Sequence, residues 1–111
     1  MTRAELRKSE RVETRLVVRV ERAGVHLTAE TINLSLGGAL LRVTFEDPPR
    51  IGEQWSLGLV LPTLDQPLLV GADVRWLGPL DECGVQFTTG FRARETWALG
   101  QWLDRIRKGL P

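Results

Sequence analysis

Between Val12 and Glu21 the chain alternates: Val12, Thr14, Leu16, Val18 and Val20 fall on one side, and Glu13, Arg15, Val17, Arg19 and Glu21 on the other. A period of two predicts a strand with one buried face. Arg22-Ala23-Gly24 reads as a turn, and a second strand follows with Val25, Leu27 and Ala29 opposed to His26, Thr28 and Glu30. The loop Asn33-Leu34-Ser35-Leu36-Gly37-Gly38 leads into a third strand over about 39–45. Trp55, Leu57, Leu59 and Leu61 mark a fourth strand, Val70, Ala72, Val74 and Trp76 a fifth, and Gly84-Val85-Gln86-Phe87 a sixth. Short strands separated by Gly and Pro turns point to an antiparallel barrel or sandwich, and closure into a barrel would remove exposed edges. After Gly90 the period changes. Leu99, Leu103, Ile106 and Leu110 recur at helical spacing with Trp102 beside them, predicting an amphipathic helix over 91–108. Trp97 stands about 180° from Ile106 at 100° per residue, on the face expected to meet water.

Composition narrows the class. The 111 residues fit one domain, 1–111, divided into an N-terminal arm (1–10), a barrel (11–90) and the helix. An apolar content of 42% suits a globular chain, and no apolar run approaches the roughly 20 residues that span a bilayer. No secretory signal is visible at the N-terminus and Cys83 has no second cysteine to pair with, so a cytoplasmic protein without membrane insertion is expected. The net charge is only +1, yet residues 1–22 hold seven basic side chains against four acidic ones. That local excess suits a small anionic ligand better than a nucleic-acid polymer. Thirteen arginines against two lysines favour bidentate recognition of phosphate or a guanine edge.

Two short motifs carry candidate chemistry. Arg7-Lys8-Ser9-Glu10-Arg11 is an R-x-x-x-R on the arm, and Asn33-Leu34-Ser35-Leu36-Gly37-Gly38 is an N-x-S-x-x-G after the second strand. Their order and separation resemble the PilZ domain family, whose members carry an R-x-x-x-R arm followed by a D/N-x-S-x-x-G loop. Arg11-Val12 to Val20, Ile32 to Leu41, Val74-Arg75-Trp76 and Gly84 to Phe87 extend the resemblance over about residues 6–88. It implies an all-β, six-stranded antiparallel barrel with a mobile N-terminal arm and a C-terminal helix, and a receptor for cyclic di-GMP. The implied ligand residues are Arg7, Arg11, Asn33, Ser35, Gly37, Gly38 and Trp76. The register selects Arg7 and Arg11 as the arm pair and leaves Arg15 in the strand. Family members with an extra arginine just before that pair hold a stacked ligand dimer; Leu6 stands there in this chain, which implies one ligand per chain.

The residue chemistry agrees. Guanine presents acceptors N7 and O6 on one edge and donors N1–H and N2–H₂ on the other. Arginines serve the acceptor edge and phosphates. The Asn33 carbonyl can take the donor edge, though without the charge assistance of the aspartate many relatives have there. The Ser35 hydroxyl can meet guanine or phosphate, and Gly37 and Gly38 can supply a positive φ and a close backbone approach. The plain readings are solvated charges for Arg7 and Arg11 and an ordinary hairpin turn for Asn33–Gly38. Trp76 is open between the ligand site and the core, because it alternates with Val74 and Ala72; Trp55 is expected in the core. His26 lacks a second metal ligand and Cys83 reads as a structural thiol. No nucleophile–base pair, metal cluster or phosphate loop argues for an enzyme, and no cofactor is expected. The arm would become ordered on ligand binding, and a lone receptor would act through an effector protein not identified by the sequence. The alternatives are a degenerate PilZ-like module that binds only protein, or a small barrel that binds nucleic acid through a basic, aromatic-rich groove.

Overall fold

The computed structural model describes residues 12–88 and 93–109. Seven strands and one helix follow in order: β1 (Val12–Glu13), β2 (Val17–Arg22), β3 (Val25–Leu34), β4 (Gly38–Arg42), β5 (Gln54–Leu59), β6 (Leu68–Leu77), β7 (Glu82–Phe87) and α1 (Ala93–Arg107). Every pairing is antiparallel. The order β3-β2-β5-β6-β7-β4 closes through β4 against β3 into a six-stranded barrel, with β1 as one added strand beside β3.

The first alternating segment is therefore two strands where one was expected. The pairs Glu13↔Asn33 and Val17↔Glu30 leave three residues, 14–16, opposite only Thr31 and Ile32. Such an extra residue must bulge. The fully buried Thr31 side chain fills the gap: its hydroxyl accepts from Leu16 N–H at 2.8 Å and donates to the Thr14 carbonyl. The inward faces nonetheless keep their phase across the break, and Val12, Leu16, Val18 and Val20 are all buried.

The core fills the barrel with Val18, Val20, Leu57, Leu59, Val74 and their neighbours, and Trp55 lies within it as expected. Leu99, Trp102 and Leu103 of α1 join the same cluster, and Ile106 packs against it. The helix thereby sits next to β1 and caps the core there. It ends as a helix should: Gly109 takes φ +70° and donates its N–H to the Ile106 carbonyl at 3.0 Å. Leu110 lies outside the described residues, as does the arm with Arg7 and Arg11. No helix among the described residues is long and apolar enough to cross a membrane.

Candidate functional site

Asn33 and Leu34 are the last residues of β3, so the turn itself is only Ser35–Gly37. Leu34 is wholly buried; alternation therefore puts Asn33 on the outer side of the barrel. It stands between Glu13 of β1 and Leu40 of β4, just past a register shift on β3. Ser35 is buried, and its hydroxyl is engaged within the turn. It accepts from the N–H groups of Gly37 (3.2 Å) and Gly38 (3.1 Å) and donates to the Gly38 carbonyl at 3.2 Å. The Ser35 N–H also reaches that carbonyl at 2.9 Å.

This geometry corrects the expected role of the glycines. Among the described glycines, positive φ occurs at Gly24, Gly52 and Gly109, not at Gly37 or Gly38. The serine side chain satisfies both amides, so the turn closes without a left-handed residue. Gly38 is needed for another reason: a Cβ there would overlap the Val85 carbonyl oxygen of β7, whereas one on Gly37 would meet open space.

Trp76 is also decided by backbone geometry. Val74 pairs with Val85, but Trp76 pairs with Gly84, so β6 accommodates an extra residue at Arg75. Val74 points inward and is fully buried, while Arg75, Trp76 and Leu77 are all exposed. The core reading of Trp76 fails because the bulge re-aims its side chain; the residue is 47% exposed. Its indole lies across Gly78, where any side chain would collide with the six-membered ring, and its Cβ rests against Gly84.

A shallow depression of about 320 Å³ joins these features, lined by Ser35, Gly37, Gly38, Arg75, Trp76, Gly84, Val85 and Gln86. Four of the seven residues singled out in the sequence thus meet at one place. Asn33 lies two residues upstream on β3, off this lining. Arg75 and Gln86 were not anticipated; Arg75 Nε donates to Gln86 Oε1 at 2.9 Å across the β6–β7 pair. The signal for them lay in the hairpin itself, because folding the chain about Gly78-Pro79 sets residue 75 beside residues 85–86. Nearby, Asp73 holds an enclosed Oδ1 with no hydrogen-bond partner among the described residues.

Other candidates sit elsewhere. His26 is exposed on β3, and no group of three potential metal ligands exists among the described residues. Cys83 is buried, and desolvation pushes its thiol pKa up to about 11, as for an unreactive side chain.

Several solved structures are similar to this one. The PilZ domain of CeSA from a cellulose-synthesizing bacterium superposes with a TM-score of 0.67 at 17% identity, covering 88% of this chain and 98% of that one. The Bacillus subtilis inhibitor of motility (MotI/DgrA) gives 0.75 at 20% identity over 89% of this chain and 49% of its own. The Borreliella burgdorferi PlzA protein in complex with c-di-GMP gives 0.59 at 12% identity, over 93% of this chain and 38% of its own. No curated protein sequence matches. At the level of sequence the PilZ domain family matches residues 5–105, a span that includes both short motifs, and the chain belongs to the PilZ domain family.

Proposed function

We propose that this protein is a non-enzymatic cytoplasmic receptor for cyclic di-GMP that acts through a protein partner. The observation that carries the reading is the depression in which the Ser35–Gly38 turn meets the exposed face of Trp76. An indole half open to solvent and braced from behind by Gly78 and Gly84 is a stacking platform for a base. Asn33 supplies an acceptor for the guanine donor edge, and Arg7 and Arg11 approach the acceptor edge and the phosphates from the arm, which becomes ordered as it clamps the ligand. Ser35 works as a positioning residue: its hydroxyl closes the turn on the Gly37 and Gly38 amides and so sets the backbone that faces the ligand. PlzA, which shares the fold, is a c-di-GMP complex, and this supports the same ligand class here.

Isothermal titration with cyclic di-GMP, with GMP and a short oligonucleotide as controls, tests the proposal. Saturable binding of cyclic di-GMP alone, at one ligand per chain, is expected. Equal binding of the oligonucleotide, or no heat with the dinucleotide, would overturn it.

A further inference from the structure

The floor of the depression contains a charged side chain outside the two sequence motifs. Arg75 leaves β6 at the bulge, next to Trp76, and Gln86 lies beside it on β7. Because a guanidinium only donates, the Gln86 atom it meets at 2.9 Å must be the amide oxygen. Two consequences follow. Arg75 is held through Nε, which leaves the Nη groups as the donating end of the fork. Gln86, with one lone pair of its oxygen engaged, presents its NH₂ group and a single remaining acceptor site. None of the ion pairs among the described residues engages Arg75. The pair is thus dominated by donors and carries one positive charge.

Resting on the cyclic di-GMP reading, we infer that Arg75, oriented by Gln86, reads the N7/O6 edge of a guanine stacked at Trp76 and thereby selects guanine over adenine. Guanine presents two acceptors on that edge; adenine presents N7 beside an N6 donor, which would confront the arginine donor-to-donor. An Arg fork spans two acceptors of one base edge, which a lysine ammonium does not reproduce. Trp76 supplies the plane and Arg75, the preceding residue, supplies the edge contact, so the bulge that exposes one exposes both. Gln86 is a positioning residue that acts through Arg75.

The test is a titration of wild type, Arg75→Ala, Arg75→Lys and Gln86→Ala with cyclic di-GMP and with its 7-deaza analogue, which lacks the N7 acceptor. Arg75 is exposed, so melting temperatures should stay within a degree or two of wild type. Wild type should bind the analogue at least tenfold more weakly than cyclic di-GMP. Arg75→Ala should lose at least tenfold for cyclic di-GMP and show a clearly smaller further penalty for the analogue than wild type does, with Arg75→Lys between the two. Gln86→Ala should cost a few-fold in wild type and nothing in the Arg75→Ala background. An unchanged Arg75→Ala, or a wild type indifferent to the missing N7, would overturn the assignment. So would an equal loss for both ligands in Arg75→Ala, which would place the arginine on a phosphate. A wild type that binds neither ligand would sink the receptor reading itself, a result separate from all of these.

Discussion

At the scale of single residues, two adjacent glycines separate cleanly. Gly38 has no room for a Cβ because the Val85 carbonyl lies in the way, and backbone cannot step aside cheaply. Gly38→Ala should destabilise the barrel by about 1–3 kcal/mol and weaken ligand binding with it. Gly37→Ala meets open space at an ordinary φ and should melt within a degree or two of wild type. Arg22 gives a second case, at the barrel end opposite the Ser35 turn. Its guanidinium grips Glu53 through Nε (2.6 Å) and Nη2 (3.0 Å) and lies 4.8 Å from the centroid of the Phe45 ring. The hydrogen bond from Arg22, aided by Trp55 Nε1–H and the Arg50 amide, holds the Glu53 carboxyl at a pKa of about 2. A carboxylate depressed in the folded state contributes stability that is fully present above its ordinary pKa near 4.5 and lost as pH falls through about 2. Glu53→Gln should therefore lower stability at pH 7 by about 2 kcal/mol and flatten the fall between pH 4.5 and 2. Urea melts at pH 7 and pH 3 measure both; a parallel fall in mutant and wild type would remove Glu53 from the acid transition.

At the scale of elements, the two bulges do different work. The one between β1 and β2 is stabilised by a single buried hydroxyl, since Thr31 serves both the Leu16 amide and the Thr14 carbonyl. Thr31→Val keeps the shape but leaves those groups unpaired, and should cost about 1–3 kcal/mol in a chemical melt. A change below a few tenths of a kcal/mol would mean that other groups satisfy them. The bulge on β6 turns Trp76 outward and so creates the candidate site. On α1 the buried face is Leu99, Trp102 and Leu103, whereas Trp97 is 66% exposed, on the side that helical periodicity assigns to water. Tryptophan is strongly enriched at binding hot spots, so this exposed face is the candidate contact for the proposed protein partner. Trp97→Ala should leave the melting temperature and cyclic di-GMP affinity nearly unchanged while abolishing capture of the effector in a pull-down. A large fall in melting temperature would return Trp97 to the core. Leu99→Ala should instead cost about 2–5 kcal/mol, as for a buried leucine.

At the scale of the whole molecule, closing β4 onto β3 brings the segment after the second strand into contact with the last hairpin. β1 pairs with the same end of β3 that bears Asn33. Arg11 directly precedes Val12 of β1 in the sequence, and the proposed role of the arm predicts its effect on binding. Arg7→Ala or Arg11→Ala should weaken cyclic di-GMP binding by about 1.5–3 kcal/mol, the range for hydrogen bonds to charged groups. Arg15 is exposed beside Glu30 at 3.8 Å, and an exposed pair of this kind contributes little; Arg15→Ala should leave affinity nearly intact. A loss at Arg15 equal to that at Arg11 would shift the motif register by four residues.

Much of this was legible along the chain. Alternation at Val12–Val20, the helical stripe at Leu99–Ile106 and the order of the two motifs are local properties, because side-chain direction follows from successive peptide units. They were enough for strands, helix, buried faces and family. The tertiary structure alone decided where the alternation would slip. An extra residue at 14–16 or at Arg75 is absorbed according to the register of the facing strand, and that strand is distant in sequence. For the same reason Gly38 is required by a carbonyl forty-seven positions away, Val85, and not by its own turn. Trp76 shows the division most plainly: its sequence phase with Ala72 and Val74 points inward, and the pairing of β6 with β7 turns it out to the surface.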